Sequence, residues 1–210
     1  MPQPRQRTER VALTGGIASG KSLAGAYLQQ RGIPVIDADD VVHHILREDA
    51  EVKAKIRETF GADVFSLDSA VDRKALGAKV FGDSTKRKLL ESWIHPKTRE
   101  RIEDFYKDHQ DQALAVSIIP LLFESGLEDR YDTVWLLETP EAIQLERLQQ
   151  HRAMSLADAQ ARLASQMPLA EKRERTLQHP QHAIIINTGS PDDLYRELDR
   201  LLAHSIAKGS

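Results

Sequence analysis

The chain has 210 residues, 40% of them apolar and 29% charged, which suits one core-bearing α/β domain with a water-facing exterior. Its net charge of −3 gives none of the basic excess on which non-specific nucleic-acid binding draws, and the lack of cysteine excludes a disulfide framework and a thiolate zinc site. The longest apolar stretch, 113–123, is broken by Ser117 and Pro120 and is too short to span a bilayer; the polar residues 1–10 show no signal-peptide pattern, so the cytoplasm is the expected compartment.

Taken in chain order, residues 1–10 read as an unstructured lead-in, and 11–14 as a first strand running into glycines. A helix is expected over 19–31, with Gly32 at its C-terminal stop, then a second strand over 33–36 and a helix over 39–47 with an acidic first turn. From 51 to 110 the pattern is helical, with no strand-like run. Asp72 is placed to cap a helix over 73–80, Ser84 to cap one over 85–93, and Pro96 to open another to 107. The runs 113–119 and 133–137 are continuous and apolar, as buried parallel strands are. Pro140 opens a helix over 141–150, Ser155 caps the next with Asp158 three residues on, and Pro168 opens a third to 176. A last strand over 183–186 precedes a helix over 191–207 with Leu194, Leu198, Leu201 and Leu202 on one face, and the tail from 207 reads as unstructured. The sum is an α/β fold: five parallel strands with helices on both faces.

Gly15, Gly16, Ile17, Ala18, Ser19, Gly20, Lys21 and Ser22 fit G-x-x-x-x-G-K-[ST] at every fixed position, with Leu23 following in the helix. Glycines let successive N–H groups turn toward phosphate oxygens, and the helix adds the positive end of its dipole. Lys21 is placed to reach the β- and γ-phosphates of ATP, and Ser22 to put its hydroxyl on Mg2+. Strand two runs out into Asp37-Ala38-Asp39-Asp40. Functional groups gather at such C-terminal strand ends, so one of these carboxylates is a candidate for taking an acceptor's proton or holding hydrated magnesium. Arg147, Arg152 and Arg162, with Arg173 and Arg175 further on, supply planar forks suited to phosphate on a segment able to close over a nucleotide. His43 and His44 lack the further spacing of a zinc site. Neither a guanine-reading Asn-Lys-x-Asp nor a strand ending Asp-Glu is found where GTP switches and mechanical ATPases carry them, which leaves small-molecule kinases as the leading class. The spacing alone leaves the acceptor open.

Residues 13–22, with Asp37-Ala38-Asp39, Ile94-His95-Pro96, Pro120-Leu121-Leu122-Phe123-Glu124 and Asn187-Thr188-Gly189-Ser190, closely resemble the dephospho-coenzyme A kinase family. Gln144-Leu145-Glu146-Arg147-Leu148, Arg152 and Gln166 are similar to that family's lid, and the likeness runs over about 11–202. The resemblance implies the P-loop three-layer αβα fold, with a core over about 10–48, 112–140 and 180–206, a helical acceptor-binding insertion over about 50–110 and a lid over about 141–176. It implies transfer of the ATP γ-phosphate to the 3′-hydroxyl of dephospho-coenzyme A, the last step of coenzyme A biosynthesis, with small molecules as partners and no nucleic acid or membrane. The chain is expected to be a monomer or a weak homo-oligomer. By carry-over Asp39 is the general base. Lys21 and one or both of Arg147 and Arg152 neutralise the migrating phosphoryl group, and Asp37, Asp39, His95 and Glu124 contact the acceptor. Two departures stand out. Ala18 replaces a usual glycine, with little harm expected provided it keeps a negative φ, and His182 stands where an Asp is common.

Overall fold

The structure is a computed structural model that describes residues 7–66 and 68–208. Residues 1–6 of the expected lead-in and 209–210 of the expected tail lie outside the described residues. Five strands form one parallel sheet: β1 (Glu9–Gly15), β2 (Val35–Asp37), β3 (Leu114–Ile118), β4 (Thr133–Glu138) and β5 (His182–Ile186), in the order β2-β3-β1-β4-β5. The apolar runs Leu-Ala-Val-Ser-Ile of β3 and Thr-Val-Trp-Leu-Leu of β4 are buried along their length, as strands covered on both faces must be. Ser117, the polar exception in β3, shares a hydrogen bond with the Tyr106 hydroxyl at 2.8 Å.

The helices are α1 (Lys21–Gln30), α2 (Ala38–Glu48), α3 (Ala50–Phe60), α4 (Arg73–Val80), α5 (Ser84–Asp108), α6 (Glu141–Arg152), α7 (Leu156–Ala164), α8 (Leu169–Gln178) and α9 (Pro191–Lys208). Among the described residues, none is long and apolar enough to cross a membrane. The chain divides into two compact units. The first ends at Asp37 and resumes at Tyr106; the second is Ala38–Phe105.

The first unit holds the sheet. Val11, Leu13, Val116, Trp135 and Leu137 form its core with Leu194, Leu198 and Leu202 of α9. Tyr27 of α1 stacks on Tyr195 of α9 at 4.1 Å and donates its hydroxyl to Asp199 at 2.8 Å, while Arg31 donates to the same carboxylate at 2.9 Å. In the second unit Ile45, Val52, Ile56, Phe60, Val64 and Ile94 pack together, with Trp93 edge-on to Phe60 at 6.2 Å. Asp49 accepts from Val52 N at 2.9 Å to cap α3 and also holds Lys97 at 2.9 Å.

Several boundaries depart from expectation. β1 begins at Glu9, inside the stretch read as unstructured, because Glu9 N donates to Ala113 O at 3.1 Å and extends the pairing with β3. β2 lies further along than 33–36: its register with β3 pairs Val35 with Val116 and Asp37 with Ile118, so Asp37 is within the strand. β5 takes in His182, and α9 runs through to Lys208. Ser84 caps nothing; Asp83 Oδ1 accepts from Thr85 N and Lys86 N at 3.1 and 3.0 Å, and Ser84 lies inside the helix. Pro96 opens no new helix. It sits inside α5, whose residues on either side of it, Ile94, Ile102 and Tyr106, are all buried. Burial on both sides outweighs one lost backbone bond. That loss is recoverable: Pro96→Ala is expected to stabilise the protein by about 2 kcal/mol, read as a higher urea midpoint with an unchanged slope.

Candidate active site

In a parallel sheet all C-terminal strand ends share one edge, so Gly15, Asp37 and Glu138 lie along it. From that edge the loop after β1 runs into α1. Its conformation is fixed chiefly through its carbonyls. Lys21 Nζ donates to Gly15 O and Gly16 O, both at 2.8 Å. Gln144 Nε2 donates to Ile17 O at 2.7 Å, and Arg147 Nη1 to Ala18 O at 3.2 Å. Asn187 Nδ2 donates to Ser19 O at 2.8 Å, joined by the Thr139 hydroxyl at 3.3 Å. Five successive carbonyls thus have donors. No side chain caps α1 at Gly20, so the helix offers its dipole's positive end to whatever approaches.

Two glycines lie hard against this backing. A Cβ on Gly16 would stand 2.3 Å from Gln144 Nε2. A Cβ on Gly20 would stand 2.4 Å from Asn187 Nδ2, and Gly20 also has φ of +99°. Ala18 does not keep a negative φ; it takes +57°. Ser19 N donates to Gly16 O at 3.2 Å and closes a turn with Ala18 third, the position at which a type II turn requires positive φ. The Ser19 hydroxyl is buried with no hydrogen-bond partner among the described residues. A glycine-rich cradle, an ammonium beside it and an uncapped helix end fit a polyanion such as a nucleoside triphosphate.

The other expected site residues fall into three groups. Arg147 is half-buried and donates from both ends of its fork, to Ala18 O and to Asn187 O at 3.3 Å, so it braces the loop against the segment after β5. Arg152 is the last residue of α6 and exposed. Ser22 and Leu23 lie in the first turn of α1. Asp39 and Asp40 stand in the acidic first turn of α2, and His95 is exposed on α5; all three belong to the second unit. Lys97, a neighbour of His95, is taken up by Asp49 and Glu51. Of the other arginines expected to face phosphate, Arg173 pairs with Glu138, and Arg175 pairs with Glu128 and donates to Phe123 O at 2.8 Å.

Glu124 lies within the first unit and faces α8. Its Oε1 accepts from Met167 N at 3.1 Å and meets the Lys172 ammonium at 2.8 Å, off the direction of a good hydrogen bond. Lys172 is only 1% exposed. Burial pushes the Glu124 carboxyl up, but the Lys172 ammonium and the backbone N–H groups outweigh it and hold the carboxyl below its ordinary value.

Sequence reasoning named Gln144, Gln166 and Asn187 only as parts of the resemblance, with no contact to the loop, and passed over Thr139 and Lys172. Thr139 and Asn187 follow directly on β4 and β5, so the strand-end rule reaches them. Lys172 gave no signal, since a lysine reads as surface until its burial is seen.

A glycine loop between the central strand and its helix, in a parallel sheet of order 2-3-1-4-5, defines a P-loop kinase. The chain belongs to the dephospho-CoA kinase family, whose family model matches residues 10–190. It is 40% identical over 197 residues to the dephospho-CoA kinase of Shouchella clausii, covering 92% of this chain and 97% of that protein. The structure is similar to TT1252 from Thermus thermophilus, with a TM-score of 0.81 at 32% identity over 95% of this chain and 98% of that one. It is also similar to the dephospho-CoA kinase of Campylobacter jejuni, with a TM-score of 0.65 at 30% identity over 94% and 97%.

The contact between the buried Lys172 ammonium and Glu124 sets a pH dependence. A carboxylate with a depressed folded pKa adds stability above its unfolded value, about 4.3 for Glu, and that stability is lost as pH falls through the folded value. Glu124→Gln, which leaves the ammonium buried without its partner, is expected to cost about 3 kcal/mol at pH 7 and to flatten the acid limb of the stability profile, as followed by urea unfolding from pH 7 to pH 3.

Proposed function

We propose that this protein transfers the γ-phosphate of ATP to the ribose 3′-hydroxyl of dephospho-CoA, giving CoA and ADP in the cytoplasm. One observation carries the reading: a phosphate loop with five successive carbonyls bonded away from the nest, in a chain of the dephospho-CoA kinase family.

The triphosphate lies along Gly15 to Leu23, with Lys21 moving from the loop carbonyls to the β- and γ-phosphates. Ser22 is the side chain to hold Mg2+, together with water and an acidic residue at the end of β2. Among the described residues no cluster of three or more His, Cys, Asp or Glu could hold a metal, and Mg2+ on phosphate needs none. When bound, the ion would neutralise part of the triphosphate's negative charge. Asp39 orients the 3′-hydroxyl and takes its proton. Asp37, His95 and Glu124 are the residues we assign to the acceptor side, and the Ala38–Phe105 unit is assigned to acceptor binding. Residues 141–176 serve as the lid, in which Arg147 steadies the loop and Arg152 supplies charge to the migrating phosphoryl group.

Because phosphoryl transfer passes through a loose transition state, charge placement outweighs base strength. Lys21→Ala should lower kcat by about a hundredfold or more, and Asp39→Asn by a smaller factor. Mass analysis of dephospho-CoA incubated with the protein, ATP and magnesium tests the whole reading: the product gains one phosphoryl group. Phosphorylation of a nucleoside but not of dephospho-CoA would overturn the acceptor, and wild-type turnover by Lys21→Ala would overturn the loop's role.

A further inference from the structure

Ile17 is gripped from both sides. Its carbonyl accepts from Gln144 Nε2 at 2.7 Å, and its N–H donates to Gln166 Oε1 at 2.8 Å. Gln144 is buried on α6; Gln166 is half-buried in the turn between α7 and α8. The two carboxamides, with Gly16, Leu163 and Lys172, line a cavity of about 450 Å³.

The turn that carries Gln166 is itself anchored. The next residue, Met167, donates its N–H to Glu124 Oε1 at 3.1 Å, and the buried Lys172 ammonium reaches the same oxygen at 2.8 Å. One turn further along α8, Arg175 donates to Phe123 O at 2.8 Å. A chain of contacts therefore runs from the loop after β3, through the Glu124–Lys172 pair, to Gln166 and the phosphate loop. Each link is a charged or hydrogen-bonded contact.

We propose that Gln166 is a positioning residue for phosphoryl transfer: it registers the α7–α8 segment on the phosphate loop, and the Glu124–Lys172 pair holds it there. This rests on the reading of that loop as the triphosphate site. The residue type fits the task. A carboxamide supplies an acceptor oxygen for the Ile17 N–H without a negative charge beside a polyanion, which a carboxylate would bring. With the segment in register, water is kept from the γ-phosphorus and the acceptor hydroxyl is the nucleophile that reaches it. Out of register, water attacks instead, giving ADP and inorganic phosphate with no phosphorylated acceptor.

The test compares wild type, Gln166→Leu and Gln166→Glu at saturating ATP, measuring phosphorylated acceptor and inorganic phosphate in the same reaction. Binding of a non-hydrolysable ATP analogue and thermal midpoint are followed in parallel. Leucine keeps the bulk and loses the acceptor. It should lower kcat for transfer about tenfold and raise the ratio of hydrolysis to transfer, with analogue affinity and midpoint near wild type. Glutamate keeps the acceptor and adds charge. It should restore the ratio at saturating ATP while raising the KM for ATP several-fold. A leucine variant with wild-type kcat and ratio would overturn the proposal, as would a loss that follows a fall in midpoint with the ratio unmoved. Should wild type itself transfer no phosphate to dephospho-CoA, the functional reading fails first; an active wild type with an indifferent leucine variant sinks this inference alone.

Discussion

A run of backbone amides can face an anion only if the intervening carbonyls face something else, and a carbonyl turned from water needs a donor. The loop after β1 meets that requirement with Lys21, Gln144, Arg147, Asn187 and Thr139. These come from α1, from the segment after β4 that includes α6, and from the end of β5. The sheet order makes this possible. β1 is central, β4 lies beside it and β5 beside β4, so residues just past the ends of β4 and β5 arrive next to the loop. The five-stranded sheet is thus the frame that brings distant donors to a few consecutive peptides.

The same requirement explains the composition of the loop. Gly16 has an unremarkable φ; a carboxamide occupies the space its Cβ would take. Gly20 answers to two demands, a left-handed backbone and the nearby Asn187. Ala18 bears a positive φ with a methyl group, a cost of roughly 1–2 kcal/mol. The closed Gly16–Ser19 turn and the Arg147 contact offset it.

Much of this was legible in the chain. The fixed positions of the glycine motif placed the loop, the two continuous apolar runs placed β3 and β4, and Asp72 and Ser155 capped helices as read. These features depend on local chemistry, which sequence records directly. What escaped depended on partners far along the chain. Nothing near Pro96 announces that α5 runs through it, because the reason lies in the burial of residues on both sides. The extent of β1 and β2 was set by pairing with β3, whose residues come some eighty to a hundred positions later. Nothing near Lys172 announces its burial, because Glu124, the carboxylate it meets, is a non-local neighbour.

The strand order also governs how the protein comes off the ribosome. β1 is made early, yet both strands that flank it, β3 at Leu114–Ile118 and β4 at Thr133–Glu138, are made long after. The uninterrupted stretch Ala38–Phe105 carries its own apolar cluster and is complete before either of them. Nascent chains therefore spend a translation interval with that stretch made while β1 and β2 upstream of it still lack β3, at about 5–20 residues synthesised per second. For those seconds β1, the strand that leads into the glycine loop, has neither of the strands that will flank it.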